Sequence, residues 1–459
     1  MKRLRNSLVF LCLFCLFTNL PVTAQTGDDL SVYNEPASRL RGAIEKFDED
    51  YGSLNRFHTA PTSPNRAARL RQFYADWLAF LERQNFDSLN HDEQIDYLLF
   101  RNYLAHELKE LNRNARQLEE TATLIPFART ISDLEDARRQ LKTIDPARTA
   151  ALLNELSKTI AATQKGFESG TLPKPKRTVA NRAARTVGSL RATLRNWQTF
   201  YNAYDPNFTW WNAEPYKSVD TALQNYQTFL LDKLVGIRAD DKTTIIGDPI
   251  GREALLEELE YEMIPYTPEE LVAIADKEFA WCEAEMKKAA REMGFGDDWK
   301  RALEAVKNKY VAPGKQPELI RDQAFEAIEF VSVPRLAEES WRMEMMTPER
   351  QLVAPFFLGG ETILVSYPTN TMTHEQKMMS MRGNNPHFTH AVTHHELIPG
   401  HHLQRFMMNR HRPYRQIFST PFWVEGWALY WEFLLWDLNF NKTPEDRVGA
   451  LFWRMHRSA

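Results

Sequence analysis

The chain has 459 residues, a formal net charge of −4, and 43% hydrophobic and 12% aromatic residues. That is ample apolar material for a folded core. The mildly acidic balance gives no electrostatic reason to bind nucleic acid or an anionic lipid surface.

Lys2, Arg3 and Arg5 precede an apolar run from Leu8 to Leu20, and Val22-Thr23-Ala24 offers tolerated residues for cleavage. Residues 1–24 therefore read as a secretory signal peptide cut after Ala24, which places the mature chain in the periplasm or outside the cell. Its removal takes away three positive charges and moves the net charge from −4 to −7. Cys12 and Cys15 leave with it, so Cys282 has no partner for an intrachain disulfide and reads as a buried apolar residue. No later segment is long and apolar enough to span a bilayer.

Apolar residues recur at three- and four-residue spacing over residues 66–84, 91–113, 148–168, 180–204 and 218–238, which predicts helices there. Residues 170–176 break two of them. Trp197, Trp210 and Trp211 read as core. Residues 240–251 form a loop and a soft boundary, so one domain with two lobes is expected over residues 25–459. Thr267-Pro268-Glu269-Glu270 is a helix start, with the helix running to about Met293. Further helices are expected over residues 297–310 and 317–330, and a short strand within 359–368.

The chemistry concentrates in His394-His395-Glu396-Leu397-Ile398-Pro399-Gly400-His401-His402 and, downstream, in Phe422 to Glu432. Two imidazoles and a carboxylate, with a second carboxylate left as a base, form the ligand set of a catalytic zinc site. On a regular helix a second ligand must follow His395 by four residues, and that position is Pro399. Pro399 cannot donate to the carbonyl of His395, and Gly400 permits a local bulge. Looping these two out turns His395-Glu396…His401 into His-Glu-x-x-His in space. His401 is then favoured over His402, which becomes a wall residue. Glu425, on an apolar helix, is expected to be buried and to be the third ligand, against the alternative of pairing with Arg405, Arg410 or Arg412. Glu432 is expected to orient a ligand histidine through its ring N–H. His387 and His390 read as ordinary polar residues.

His-Glu-x-x-Pro-Gly-His followed by Glu-Gly-Trp-Ala-Leu-Tyr-x-Glu resembles the bacterial family known as domain of unknown function 885. That family looks like helical zinc metallopeptidases of the gluzincin type. The resemblance implies a mainly α, two-lobed metallopeptidase-like fold with a short strand beside the active-site helix. It implies His395, His401 and Glu425 as ligands of one Zn2+ ion and Glu396 as general base, and a strand at residues 363–366 able to pair with an extended peptide. It also implies a chain that continues past Ala459 to close the cleft, so Leu451, Phe452, Trp453 and Met455 are expected to lie uncovered.

The function expected is that of a secreted zinc-dependent hydrolase, a metallopeptidase cleaving a peptide or small amide by a metal-activated water with Glu396 as base. The alternatives are a non-catalytic relative that binds metal or peptide, and a zinc amidase acting on a non-peptide bond.

Overall fold

Most long helices of this computed structural model start at a residue whose side chain closes the first turn. The structure describes residues 38–459 apart from 239, 242, 334, 352, 353 and 355. The signal peptide expected over residues 1–24 lies outside the described residues. After α1 (Arg41–Phe57), Ser63 caps α2 (Pro64–Glu82) and Asn90 closes a capping box on α3 (His91–Glu120). These three helices share a core of Phe47, Tyr74 and Phe100, into which Phe418 inserts from far along the chain. A second core joins α4 (Ala128–Arg139), α5 (Pro146–Glu168), α6 (Arg177–Tyr201) and α7 (Pro206–Phe229) around Trp197, Phe208 and Tyr226.

A π-helical turn, Leu230–Val235, ends this bundle. The expected loop over residues 240–251 leads to α8 (Arg252–Tyr261). Next come α9 (Pro268–Glu292), α10 (Trp299–Lys307), α11 (Gln316–Val331), and the short α12 (Arg335–Ser340) and α13 (Pro348–Gln351). The last five helices are α14 (His374–Gly383), α15 (Pro386–Glu396), α16 (His401–Met408), α17 (Pro421–Asp437) and α18 (Pro444–Ser458). The described residues are thus mainly helical.

Among the described residues one sheet forms, pairing β1 (Arg342–Met345) with β2 (Thr362–Val365) in parallel, Arg342 opposite Thr362. Leu358 bridges Leu364 on the other side of β2, so the strand expected to receive a peptide is already paired on both sides at its centre.

α15 is the innermost helix. Every residue from Phe388 to His395 is buried. Phe388 packs with Met286, Val448 and Leu451 of α9 and α18, while Val392 packs with Ile320 of α11 and Ile363 of β2. Each such side chain contributes about 1.5–3 kcal/mol on full burial.

Several expectations are corrected. Trp197 is core, but Trp210 and Trp211 are 76% and 45% exposed on the first turns of α7. The turn's other face carries Phe208 and Asn212 inward, and only one face can be covered. α7 begins at Pro206, earlier than expected, with Pro215 inside it, and α3 runs on to Glu120. The residues of α18 are not left bare. Leu451 and Met455 are buried and Phe452 and Trp453 half-buried, because α9, α10 and α15 cover them. Cys282 is buried and unpaired, as expected. Among the described residues no helix is long and apolar enough to cross a membrane.

Contact between α18 and α15 depends on Gly449, where a Cβ would overlap the carbonyl of His387. Gly426 on α17 has open space around it. Gly449→Ala is expected to destabilise by about 1–3 kcal/mol, as overpacking does. Gly426→Ala should be neutral or stabilising by up to about 1 kcal/mol. Urea melts of the two variants against the parent check the contrast.

Candidate metal centre

Asn385 caps α15, accepting from the N–H groups of His387 and Phe388, and the helix runs regularly until Leu397 donates to Thr393 O at 2.9 Å. There the ladder breaks. Pro399 has no N–H, and Gly400 N reaches back to His394 O at 2.9 Å. His402 N takes Leu397 O at 3.0 Å, and α16 starts at His401. The Ile398–Pro399 peptide is cis. Gly400 is obligatory for steric reasons, since a Cβ would overlap the carbonyl oxygens of His395 and His394. Trp427 of α17 locks the break from outside, its Nε1 donating to Pro399 O at 2.9 Å and Gly400 O at 3.2 Å.

The break brings the rings of His395 and His401 to 4.8 Å between centroids, perpendicular to one another. Glu425 Oε2 lies 3.7 Å from His395 Nε2 and 3.7 Å from His401 Nε2. All three ligand atoms fall within 4.8 Å of each other. Atoms sharing a tetrahedral zinc at about 2.0–2.1 Å stand roughly 3.4 Å apart. The donors are nitrogen, nitrogen and carboxylate oxygen, so these residues fit a zinc ion. His402 turns away, its Nε2 2.9 Å from Ala337 O, and His394 packs against His390 and Phe440.

Glu425 is not buried: its side chain is 69% exposed at the rim. Its helix is apolar all round, but only the face with Ala428, Glu432 and Leu435 is covered. Arg410 and Arg412, weighed as its partners, go elsewhere: Arg410 to Phe406 O and Arg412 to Asp92.

The buried carboxylate is Glu432. Its Oε1 accepts from His395 Nδ1 at 2.6 Å, and Arg457 holds both of its oxygens, at 2.8 and 3.1 Å. The Nδ1 hydrogen bond turns the Nε2 edge of His395 toward Glu425 and His401. Burial works against a charged His395, yet the nearby carboxylate of Glu425 and the hydrogen bond to Glu432 lift it to about 9. Burial, with the charge of His395, lowers His401.

Glu396 stands outside the ligand triad. Burial raises its carboxyl to about 6; Glu425 adds to the rise, while His395 and the Gly359 backbone oppose it. Gly359 and Gly360 lie directly on Glu396. Gly360 N donates to Glu396 O at 3.2 Å, and a Cβ on Gly359 would overlap the Glu396 side chain. Sequence reasoning read these glycines only as the start of a strand, and it missed Arg457 and Gln404. The one available signal was the glycine pair itself, since adjacent glycines mark a close approach of backbone to something. His387 pairs with Asp446 at 2.6 Å and ties α15 to α18, and His390 contacts Asn441 and Glu326.

Among the described residues, His106, Glu110 and Glu258 also converge. Arg113 already pairs with both carboxylates there, so a guanidinium takes the cation's place.

The fold and site together define a helical protein with a candidate His-His-Glu metal centre on a broken helix. Residues 50–459 match the family described as bacterial protein of unknown function, DUF885, and the chain belongs to that family. A solved structure of a candidate lipoprotein of unknown function from Shewanella oneidensis is similar in fold. It has a TM-score of 0.60 and 17% identity, over 91% of this chain and 81% of that one. None of the curated proteins matches.

Two outcomes are expected from elemental analysis. His401→Ala should lose the bound metal, whereas His402→Ala should keep it; the reverse pattern would reassign the ligand. Glu432→Gln should weaken zinc affinity by about 10–100-fold, measured by competition with a chelating dye.

Proposed function

We propose that this protein is an exported zinc-dependent hydrolase with a two-lobed, metallopeptidase-like arrangement, acting on a peptide or small amide. One observation carries the reading: three candidate ligand atoms converge, and a separate half-buried carboxylate, Glu396, follows one of them directly in sequence. A purely structural metal site is closed and has no use for an acid beside it. The signal peptide read in residues 1–24 supports export, and the two helical cores of α1–α7, set against the core around α15, support a lobed reading.

His395, His401 and Glu425 would hold the ion. A bound zinc ion supplies Lewis-acid activation of a water molecule and of the scissile carbonyl. Burial lifts the carboxyl of Glu396 to about 6, which makes it a better proton acceptor than an exposed carboxylate. A side-chain oxygen of Glu396 takes the proton of the attacking water and returns it to the leaving amine. Glu432 and Arg457 fix the ring of His395 during this exchange. The solvent-exposed rim at Glu425 gives substrate a way in.

The test is turnover of a peptide library by the zinc-loaded full chain, with and without chelator. Glu396→Gln should keep its zinc and lose turnover by at least about a hundredfold. Unchanged turnover in that variant would remove Glu396 from the mechanism. Chelator-insensitive cleavage would remove the metal.

A further inference from the structure

A cavity of about 500 Å³ lies between α3, the end of α8, α16 and the start of α17. Leu99, Tyr103, Met263, Met407, Met408 and Trp423 supply its apolar wall. Met263, Met407 and Trp423 are 57%, 40% and 46% exposed, so the mouth is open to water. Most of the polar side chains around it are committed to the protein. Asn102 donates to Tyr261 O, Gln404 to Trp423 O, and Gln416 to Met408 O. Arg412 pairs with Asp92 and Arg415 with Asp96. Most of the lining therefore presents rings, thioethers and methyl groups, and its one carboxylate, Glu262, disfavours a second anion. Methionines adapt to the shape of whatever apolar group enters.

The cavity also touches the metal centre. Gln404, buried in its wall, sits one turn beyond His401 on α16. Trp427, also in the wall, is the side chain that locks the Pro399–Gly400 break.

We propose that this cavity is a binding site for a large uncharged apolar group, of the size of a phenylalanine or leucine side chain or a medium acyl chain. Apolar walls, arginines already paired and the carboxylate of Glu262 select for such a group and against an anionic one. Binding there does not require hydrolysis, so the inference goes beyond the proposed reaction.

The experiment is calorimetric titration of the full chain with N-acetyl-phenylalaninamide, with its aspartate counterpart, and with octanoate. The phenylalanine amide should bind at least about tenfold tighter than the aspartate amide. Leu99→Trp and Met408→Trp, which fill the cavity from opposite walls, should each abolish that preference while leaving zinc content and melting temperature unchanged. Equal affinity for the two amides, or a preference that survives both variants, overturns the proposal. The source of the group is resolved by a hydroxamate arm. If N-acetyl-phenylalanine hydroxamate outbinds acetohydroxamate and loses this advantage in Met408→Trp, the occupant is a substrate side chain. If octanoate binds equally well with acetohydroxamate present and is displaced by the phenylalanine amide, the occupant is a separate apolar ligand. A chain that binds the amide selectively but hydrolyses nothing would sink the proposed reaction and leave the cavity site standing.

Discussion

The centre depends on one backbone event, the break between Leu397 and Gly400. On an unbroken helix, His395 and His401 would point about 120° apart around the axis and could not share an ion. Proline removes the donor that would continue the ladder, and Gly400 lets its N–H fold back to His394 without a side chain in the way. The carbonyls released by the break are used: Pro399 and Gly400 accept from Trp427. That bond ties α17 to the same break and sets Glu425 above the two imidazoles. One local interruption thus positions three ligands from three helices.

Around it, carboxylates in different surroundings take different parts. Glu432 is buried, and a buried charge is tolerable only when paired. Arg457 and His395 pair it on both oxygens. Glu425 is in water at the rim, where its charge is cheap and it is accessible to an ion. Glu396 is enclosed with weaker compensation, so it alone is pushed towards neutrality. Environments that separate the proton affinities of neighbouring acids also separate their roles.

The rest of the fold holds this arrangement rigid. α15 is covered on one side by α9 and α18, and on the other by α11 and the two-stranded sheet. The sheet's contribution is a backbone that passes close to Glu396 at Gly359 and Gly360. The final helix brings Arg457 to Glu432, and Gly449 permits its close approach to α15.

The sequence by itself determined the local events. The Pro-Gly interruption, the cap at Thr267, and the helical period of α5 and α9 are properties of neighbouring residues, and neighbours are adjacent in any reading. The same holds for the preference of His401 over His402, which needs only helix geometry. Tertiary structure decided burial and pairing. An apolar sequence around Glu425 could not say which face of α17 would be covered, and so it could not say that Glu432 and not Glu425 would be buried. Trp210 and Trp211 were read as core for the same reason. Arg457 carries no local signal at all; it matters because α18 packs back on α15, 62 residues from His395 in the chain. Contacts of that span are set by which apolar faces find each other, and no short-range pattern encodes that.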